Sequence, residues 1–284
     1  MSGRRARFGH AAVVGTGLIG GALGMALRRG GLARRVTAVD RDPTAAVRAV
    51  ERGAADAATS DLREAADAQI VFVAVPLEQI VAVCKALLSY LPAGTILTDV
   101  GSVKAPIVAS VERLAPPVRF VGGHPMAGSE GAGIEAADPD FLRGRPYVLT
   151  PTGFTDRQAV SELAEVVRAI GMTPVVMQPE VHDRLAALIS HAPYLVACAV
   201  VLSAGDEPES FRMAGPAFED LSRMARNPVA MWDAITRMNR DEVVRALRGV
   251  RARLDEIEDG IAQDALRPLL ERAHHLGRTV ERNR

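Results

Sequence analysis

An α/β fold, a doubly wound and mostly parallel sheet followed by an all-helical region, is what this sequence predicts. Three observations predict it. Short β-branched runs alternate with helical patterns through the first 177 residues, as crossover units on a parallel sheet require. A glycine-rich turn follows the first of those runs. After about residue 178 the strand signal stops, and the rest of the chain reads as helix.

The runs that read as strands are, in order, HAAVVG (10–15), RVTAVD (35–40), QIVFVAVP (69–76), GTILTDV (94–100), RFVGG (119–123), PYVLTP (146–151) and TPVVM (173–177). Between them, segments such as 18–29 and 77–90 carry apolar residues three and four apart, the helical spacing. Beyond 178, Leu185 to Ala204 runs 20 residues without Asp, Glu, Lys or Arg. That length suffices for a bilayer, but Ser190, His191, Pro193 and Tyr194 interrupt it, and a buried helix of a soluble protein is the preferred reading. The basic and apolar start of the chain is likewise a poor export signal, because five glycines lie between Gly15 and Gly24. Over 239–261, Val243, Leu247, Val250, Leu254, Ile257 and Ile261 alternate steps of four and three, a heptad seam. Asn239, with Glu242 three residues on, reads as its capping pair. Both apolar helices call for a partner surface, and a second copy of the chain is preferred to an intramolecular bundle.

Lys+Arg and Asp+Glu each number 34 in the 284 residues, a formal net charge of zero. No general attraction to nucleic acid or an anionic membrane follows. Any anionic ligand must be held by a few placed cations. The two cysteines, Cys84 and Cys198, sit in apolar helical runs without CxxC spacing and read as buried reduced thiols, which fits a cytoplasmic protein. Of the six histidines, His10, His274 and His275 are expected to be solvated. No histidine pair has metal-ligand spacing with a carboxylate or thiolate, so no metal is expected.

VVGTGLIGGALG places Gly15, Gly17 and Gly20 in GxGxxG spacing, with Leu18 and Ile19 between the last two. A strand before and a helix after make this the dinucleotide-binding turn of a Rossmann-type sheet. Gly15 allows the tight turn, Gly17 the approach of a pyrophosphate, and Gly20 close packing of helix on strand, while the helix N-terminus offers free N–H groups. Asp40 ends the second strand, where a carboxylate can accept from both ribose hydroxyls and repels a 2′-phosphate; NAD is therefore expected. Arg41 beside it can bind a 2′-phosphate, so NADP is the lesser alternative. Val75 and Pro76 end the third run and offer a smooth apolar wall for the nicotinamide.

GGHPMAGSE (122–130) follows another strand and puts His124 on the same sheet edge as the glycine loop. Imidazole, with an ordinary pKa of about 6.5, can take a proton from a hydroxyl near neutral pH. TDVGSVK (98–104) brings Ser102 to that edge, where its hydroxyl can orient the imidazole and touch the substrate.

Taken together and in order, GTGLIGGALG, VAVP, TDVGSVK, GGHPMAGSE, ISHAPY and FEDLSRMARNPVAMW make the chain resemble the prephenate/arogenate dehydrogenase family of tyrosine biosynthesis, over about residues 10–280. β-Hydroxyacid dehydrogenases share the glycine loop but are expected to use a lysine in the second domain, and no lysine follows residue 178. The resemblance implies a dinucleotide-binding domain over 1–177 and a helical substrate and dimerisation domain over 178–284, through whose helices a homodimer is expected. It implies oxidative decarboxylation, with His124 as base and Ser102 holding hydroxyl, imidazole and nicotinamide in register. Arg223 matches the family's carboxylate-binding arginine, with Asp220 one turn earlier to orient it. Ser190, His191 and Tyr194 of ISHAPY, Ser129 and Glu130 after the histidine, and Trp232 are the other implied substrate contacts. Prephenate-selective relatives usually carry histidine where this chain has Tyr194, which leaves arogenate open as substrate. The alternatives are a dehydrogenase for an amino-substituted prephenate and a noncatalytic NAD-binding redox sensor.

Overall fold

The computed structural model describes residues 6–115, 117–128 and 131–282. Its strands are β1 (Phe8–Val14), β2 (Ala33–Val39), β3 (Ala57–Thr59), β4 (Ile70–Val73), β5 (Ile96–Asp99), β6 (Arg119–Pro125), β7 (Pro146–Thr150) and β8 (Thr173–Val176). Among the described residues they form one eight-stranded sheet in the order β3-β2-β1-β4-β5-β6-β7-β8. Every pairing is parallel except that of β6 with β7. The doubly wound α/β class expected from the alternation is borne out. All seven expected strands are present, and β3 is an addition: three residues, Ala-Ala-Thr, are too short and too small to register as a run.

The alternation of side chains along each strand explains why the runs are apolar throughout. Ala11 and Val13 of β1 and Ile70 and Phe72 of β4 point into one buried cluster, Ala12, Val14, Val71 and Val73 into another on the opposite face. Helices α1 (Leu18–Arg29) and, later in the chain, Arg157–Ala169 cover the first face with Leu23, Leu27, Leu163 and Val167. Ile80–Leu87 and Ala105–Glu112 cover the second with Ile80, Cys84, Leu87, Ile107 and Val111. With Pro43–Glu51 after β2, these helices are α2 (Pro43–Glu51), α3 (Ile80–Leu87), α4 (Ala105–Glu112) and α5 (Arg157–Ala169). Each fully buried Leu, Ile or Val contributes about 1.5–3 kcal/mol. The chain winds from β1 outward to β3, then returns to β4 on the other side of β1, so the winding reverses between β1 and β4. Open sheets of this kind bind ligands beyond the carboxyl ends of the strands at that reversal.

Two compact units divide the chain: one runs to Asp183 and includes Pro228–Met238, the other comprises Arg184–Asn227 and Asn239–Arg284. The sheet's unit thus takes in residues 178–183 and 228–238. The helices from there on are α6 (Pro179–Ala186), α7 (Ala192–Gly205), α8 (Pro216–Ala225), α9 (Val229–Met238), α10 (Arg240–Ala262) and α11 (Arg267–Arg282), with a π-helical turn, Ala187–His191, between α6 and α7. In the second unit, Ala187, Ala192, Val243 and Ala246 form a small core, with Leu195, Leu247 and Val250 against it.

Five expectations need correction. His10 is not solvated: it is 5% exposed, between Asp67 (2.7 Å) and Thr37 (2.8 Å), because the first strand begins two residues earlier than read. The helix from Pro179 to Gly205 is not a buried one, since only 33% of its most apolar 18-residue window is buried and Leu188, Ile189 and Leu202 face outward. The heptad seam is buried at Val243 but open at Leu254 and Ile261. Asn239 does precede α10, and its carbonyl accepts from Val243 N, but its side chain makes no cap; it donates to His191 Nδ1 at 3.2 Å, and Glu242 pairs with Arg245. Cys84 is buried, and burial pushes its thiol well above the ordinary range, whereas Cys198 is half-buried.

Candidate active site

The turn after β1 is built on two close approaches. Gly15 has φ +95°, and a Cβ there would stand 2.4 Å from Ala74 O, at the end of β4. A Cβ on Gly20 would stand 1.9 Å from Gly15 O, so α1 can begin this near the strand only with glycine there. Gly17, the residue before α1, has open space where its Cβ would be. No side chain caps α1 and no acidic residue occupies its first turn, so its first N–H groups and partial positive charge face the sheet edge. Leu18 and Ile19 are half-buried, Ile19 packing on the core below. Asp40 accepts from Thr16 N and Thr16 Oγ1 through Oδ2, both at 2.8 Å, and from Asp42 N at 3.0 Å through Oδ1. A carboxylate oxygen has two acceptor positions, so Asp40 can steady the loop and still receive one ribose hydroxyl at Oδ1. Arg41 is exposed. Past β4, Val75 is half-buried and the exposed Pro76 opens the turn Leu77–Gln79. The bare Gly17, the uncapped helix and the carboxylate at the end of β2 fit a dinucleotide.

The next two strand ends carry the polar chemistry. Ser102, half-buried, stands three residues past β5, and His124, half-buried, is the next-to-last residue of the adjacent strand β6. Beneath them lies a buried ion pair that sequence reasoning did not single out. Asp99 and Lys104 are both fully buried and bonded to each other. Lys104 Nζ also donates to Gly123 O at 2.7 Å, while Asp99 accepts from Gly123 N at 3.2 Å and from Gly101 N at 2.9 Å. The pair therefore holds both backbone groups of the residue before His124. Burial lowers the Lys104 pKa, and the Asp99 carboxylate opposes that shift. Removing one partner of such a pair leaves a buried charge uncompensated, which costs about 3–5 kcal/mol. Two charges flanking a strand end in TDVGSVK were the available signal.

His124 has a further neighbour that was missed. Its Nδ1 lies 2.8 Å from Nε2 of His182, the rings meeting edge-on with centroids 5.0 Å apart and planes at 74°. His182 is 2% exposed, and its Nδ1 lies 2.7 Å from Asp183 Oδ1. The dipeptide His182-Asp183, directly after the last strand, was the signal. Among the described residues, no three His, Cys, Asp or Glu side chains form a metal-holding group.

Ser190, His191, Tyr194 and Arg223 belong to the second unit. Ser190 and His191 lie on the π turn, where Ala192 N bonds to Ala187 O. Pro193 explains the turn: it has no N–H to give to the carbonyl four residues back, so the ladder shifts by one residue there. Ser190 is half-buried; His191, at 1% exposure, is held by Asn239. Tyr194 is buried, which raises its hydroxyl pKa and keeps it a neutral phenol. Arg223 lies on α8 with its side chain about half exposed, 3.7 Å from Asp220. Trp232, half-buried on α9, belongs to the first unit. Ser129 and Glu130 lie outside the described residues.

Two family models match the chain: one described as prephenate dehydrogenase, nucleotide-binding domain, over residues 23–176, and one described as prephenate dehydrogenase, dimerization domain, over residues 178–274. Prephenate dehydrogenase of Bacillus subtilis (strain 168) is 32% identical over 262 residues, covering 89% of this chain and 70% of that protein. The crystal structure of prephenate dehydrogenase from A. aeolicus, in complex with hydroxyphenyl propionate and NAD+, matches with a TM-score of 0.88 at 29% identity, covering 99% of each chain. Synechocystis arogenate dehydrogenase matches with a TM-score of 0.83 at 31% identity, over 95% of this chain and 99% of that one.

Proposed function

The chain belongs to the prephenate dehydrogenase family, and from that premise we propose that it performs NAD-dependent oxidative decarboxylation in tyrosine biosynthesis. Its substrate is a cyclohexadiene carboxylate: prephenate, giving 4-hydroxyphenylpyruvate, or arogenate, giving tyrosine. The observation that carries this reading is the alignment of the glycine turn, Ser102 and His124 along one carboxyl edge, at the ends of β1, β5 and β6.

NAD+, bound over the α1 N-terminus, supplies the hydride acceptor. Gly15, Gly17 and Gly20 would admit its pyrophosphate, Asp40 would receive a ribose hydroxyl, and Val75 and Pro76 would flank the ring. His124 takes the proton of the substrate's ring hydroxyl as the C–H electron pair leaves the same carbon, and a C=O bond forms. The bond from the ring to its carboxylate then breaks, CO2 departs, and the electron pair runs through the ring to that carbonyl oxygen. The oxygen recovers the proton from His124, and the ring is aromatic. Ser102 orients the hydroxyl against the imidazole; such positioning lowers barriers by removing the entropy of alignment.

Arg223 is assigned the substrate carboxylate, since a planar guanidinium grips a carboxylate with two hydrogen bonds. Ser190, Tyr194 and Trp232 are assigned to the rest of the substrate. Arogenate is favoured as a second reading by Tyr194, whose neutral phenol can accept from an ammonium group. The second unit is assigned to homodimer formation, and the protein to the cytoplasm. Incubation with NAD+ and each diene, following absorbance of the reduced cofactor, tests the assignment. Turnover of one or both is expected; silence with both, despite tight NAD+ binding, would leave the redox-sensor reading in its place.

A further inference from the structure

We propose that His182 and Asp183 are positioning residues that set the tautomer of His124, placing its lone pair on Nε2 and receiving the charge it acquires as a base. The inference rests on the dehydrogenase reading for its consequence, but on geometry for its content.

Asp183 accepts from Lys104 N at 2.7 Å through Oδ1 and from Ala105 N at 2.8 Å through Oδ2. Both donors belong to the N-terminus of α4, whose first turn contains no acidic residue. Each oxygen of that carboxylate faces a backbone N–H donor and so acts as an acceptor. His182 Nδ1, 2.7 Å away, is therefore the donor.

With the proton on Nδ1, neutral His182 presents Nε2 as an acceptor. The atom facing Nε2 at 2.8 Å is His124 Nδ1, which must then carry a hydrogen. The basic lone pair of His124 is left on Nε2. When Nε2 takes the substrate proton, the Nδ1–H···Nε2 bond becomes charge-assisted, and Asp183 stabilises the cation through His182. This is the logic by which a buried carboxylate orients a catalytic imidazole in acyl-transfer triads, here with a second imidazole between the two. The arrangement also accounts for the position of GSVK: the segment that supplies Ser102 supplies the two backbone donors that hold Asp183.

Two substitutions separate this role from simple packing. His182→Gln keeps an acceptor in reach of His124 Nδ1–H; His182→Phe keeps the ring volume and loses the acceptor. The expected result is a kcat lowered roughly 100-fold in His182→Phe, with NAD+ affinity unchanged, and a Gln variant that retains most of the activity. A Phe variant at wild-type kcat beside an impaired Gln variant would overturn the proposal. Nitrogen-15 NMR of the imidazoles in the wild-type protein gives an answer that needs neither variant nor turnover. His124 protonated on Nδ1 is expected, and protonation on Nε2 instead overturns it. Wild-type silence with both dienes would sink the dehydrogenase reading, while the tautomer would still decide the arrangement of the three residues.

Discussion

At the scale of single residues, the proposed chemistry converges on His124, and its isolation in the sequence is deceptive. Its place at the end of a strand, on the carboxyl edge of the sheet, was legible from GGHPMAGSE alone. Its partner was not, because His182 stands 58 residues away and its approach depends on where α6 starts relative to the sheet. Lys104 and Asp99 were equally opaque: a lysine in a loop reads as solvated until the backbone carbonyl it serves is known. His124→Asn removes the base and is expected to lower kcat by about 10²–10⁴, with NAD+ affinity nearly unchanged; steady-state kinetics with separate NAD+ titration checks both halves. Arg223→Ala is expected chiefly to raise KM for the diene. An effect confined to kcat would show that the guanidinium is not the carboxylate anchor.

At the scale of elements, the β1–turn–α1 unit shows how a pattern in sequence becomes a distance. GxGxxG spacing specifies where side chains are absent; the structure shows what stands in the vacated space, a backbone carbonyl on one side and open approach on the other. Gly20→Ala would put a methyl group into Gly15 O and push α1 off the strand. A loss of about 1–3 kcal/mol of stability is expected from such overpacking, together with weaker NAD+ binding. Thermal melts with and without the cofactor measure the two effects, and an unchanged melt would mean that the close contact is relieved at no cost. The π turn at Ala187–His191 was not read from ISHAPY, although Pro193 was visible as an interruption. A proline announces that a hydrogen bond is missing, but whether the helix kinks, breaks or re-registers depends on what surrounds it.

At the scale of the whole molecule, the apolar surface of the second unit is the unfinished part. Leu188 is 52% exposed, Ile189 69% and Leu202 72%, on a helix whose composition is that of an interior. A second copy of the chain is the proposed cover. Ile189→Asp combined with Leu202→Asp should convert a dimer to a monomer in sedimentation or size-exclusion measurements; a wild-type monomer at micromolar concentration would remove the dimer from the proposal. Periodicity, the glycine spacing and the quoted motifs determined the fold class and the family and singled out the residue proposed as the base, because each is written in short-range order along the chain. The tertiary structure alone decided which polar groups meet: Asp99 with Lys104, His10 with Asp67, and His124 with His182 and Asp183. Hydrogen bonds act over about 3 Å, and residues far apart in sequence come within that reach only once the sheet order and the helix starts are set.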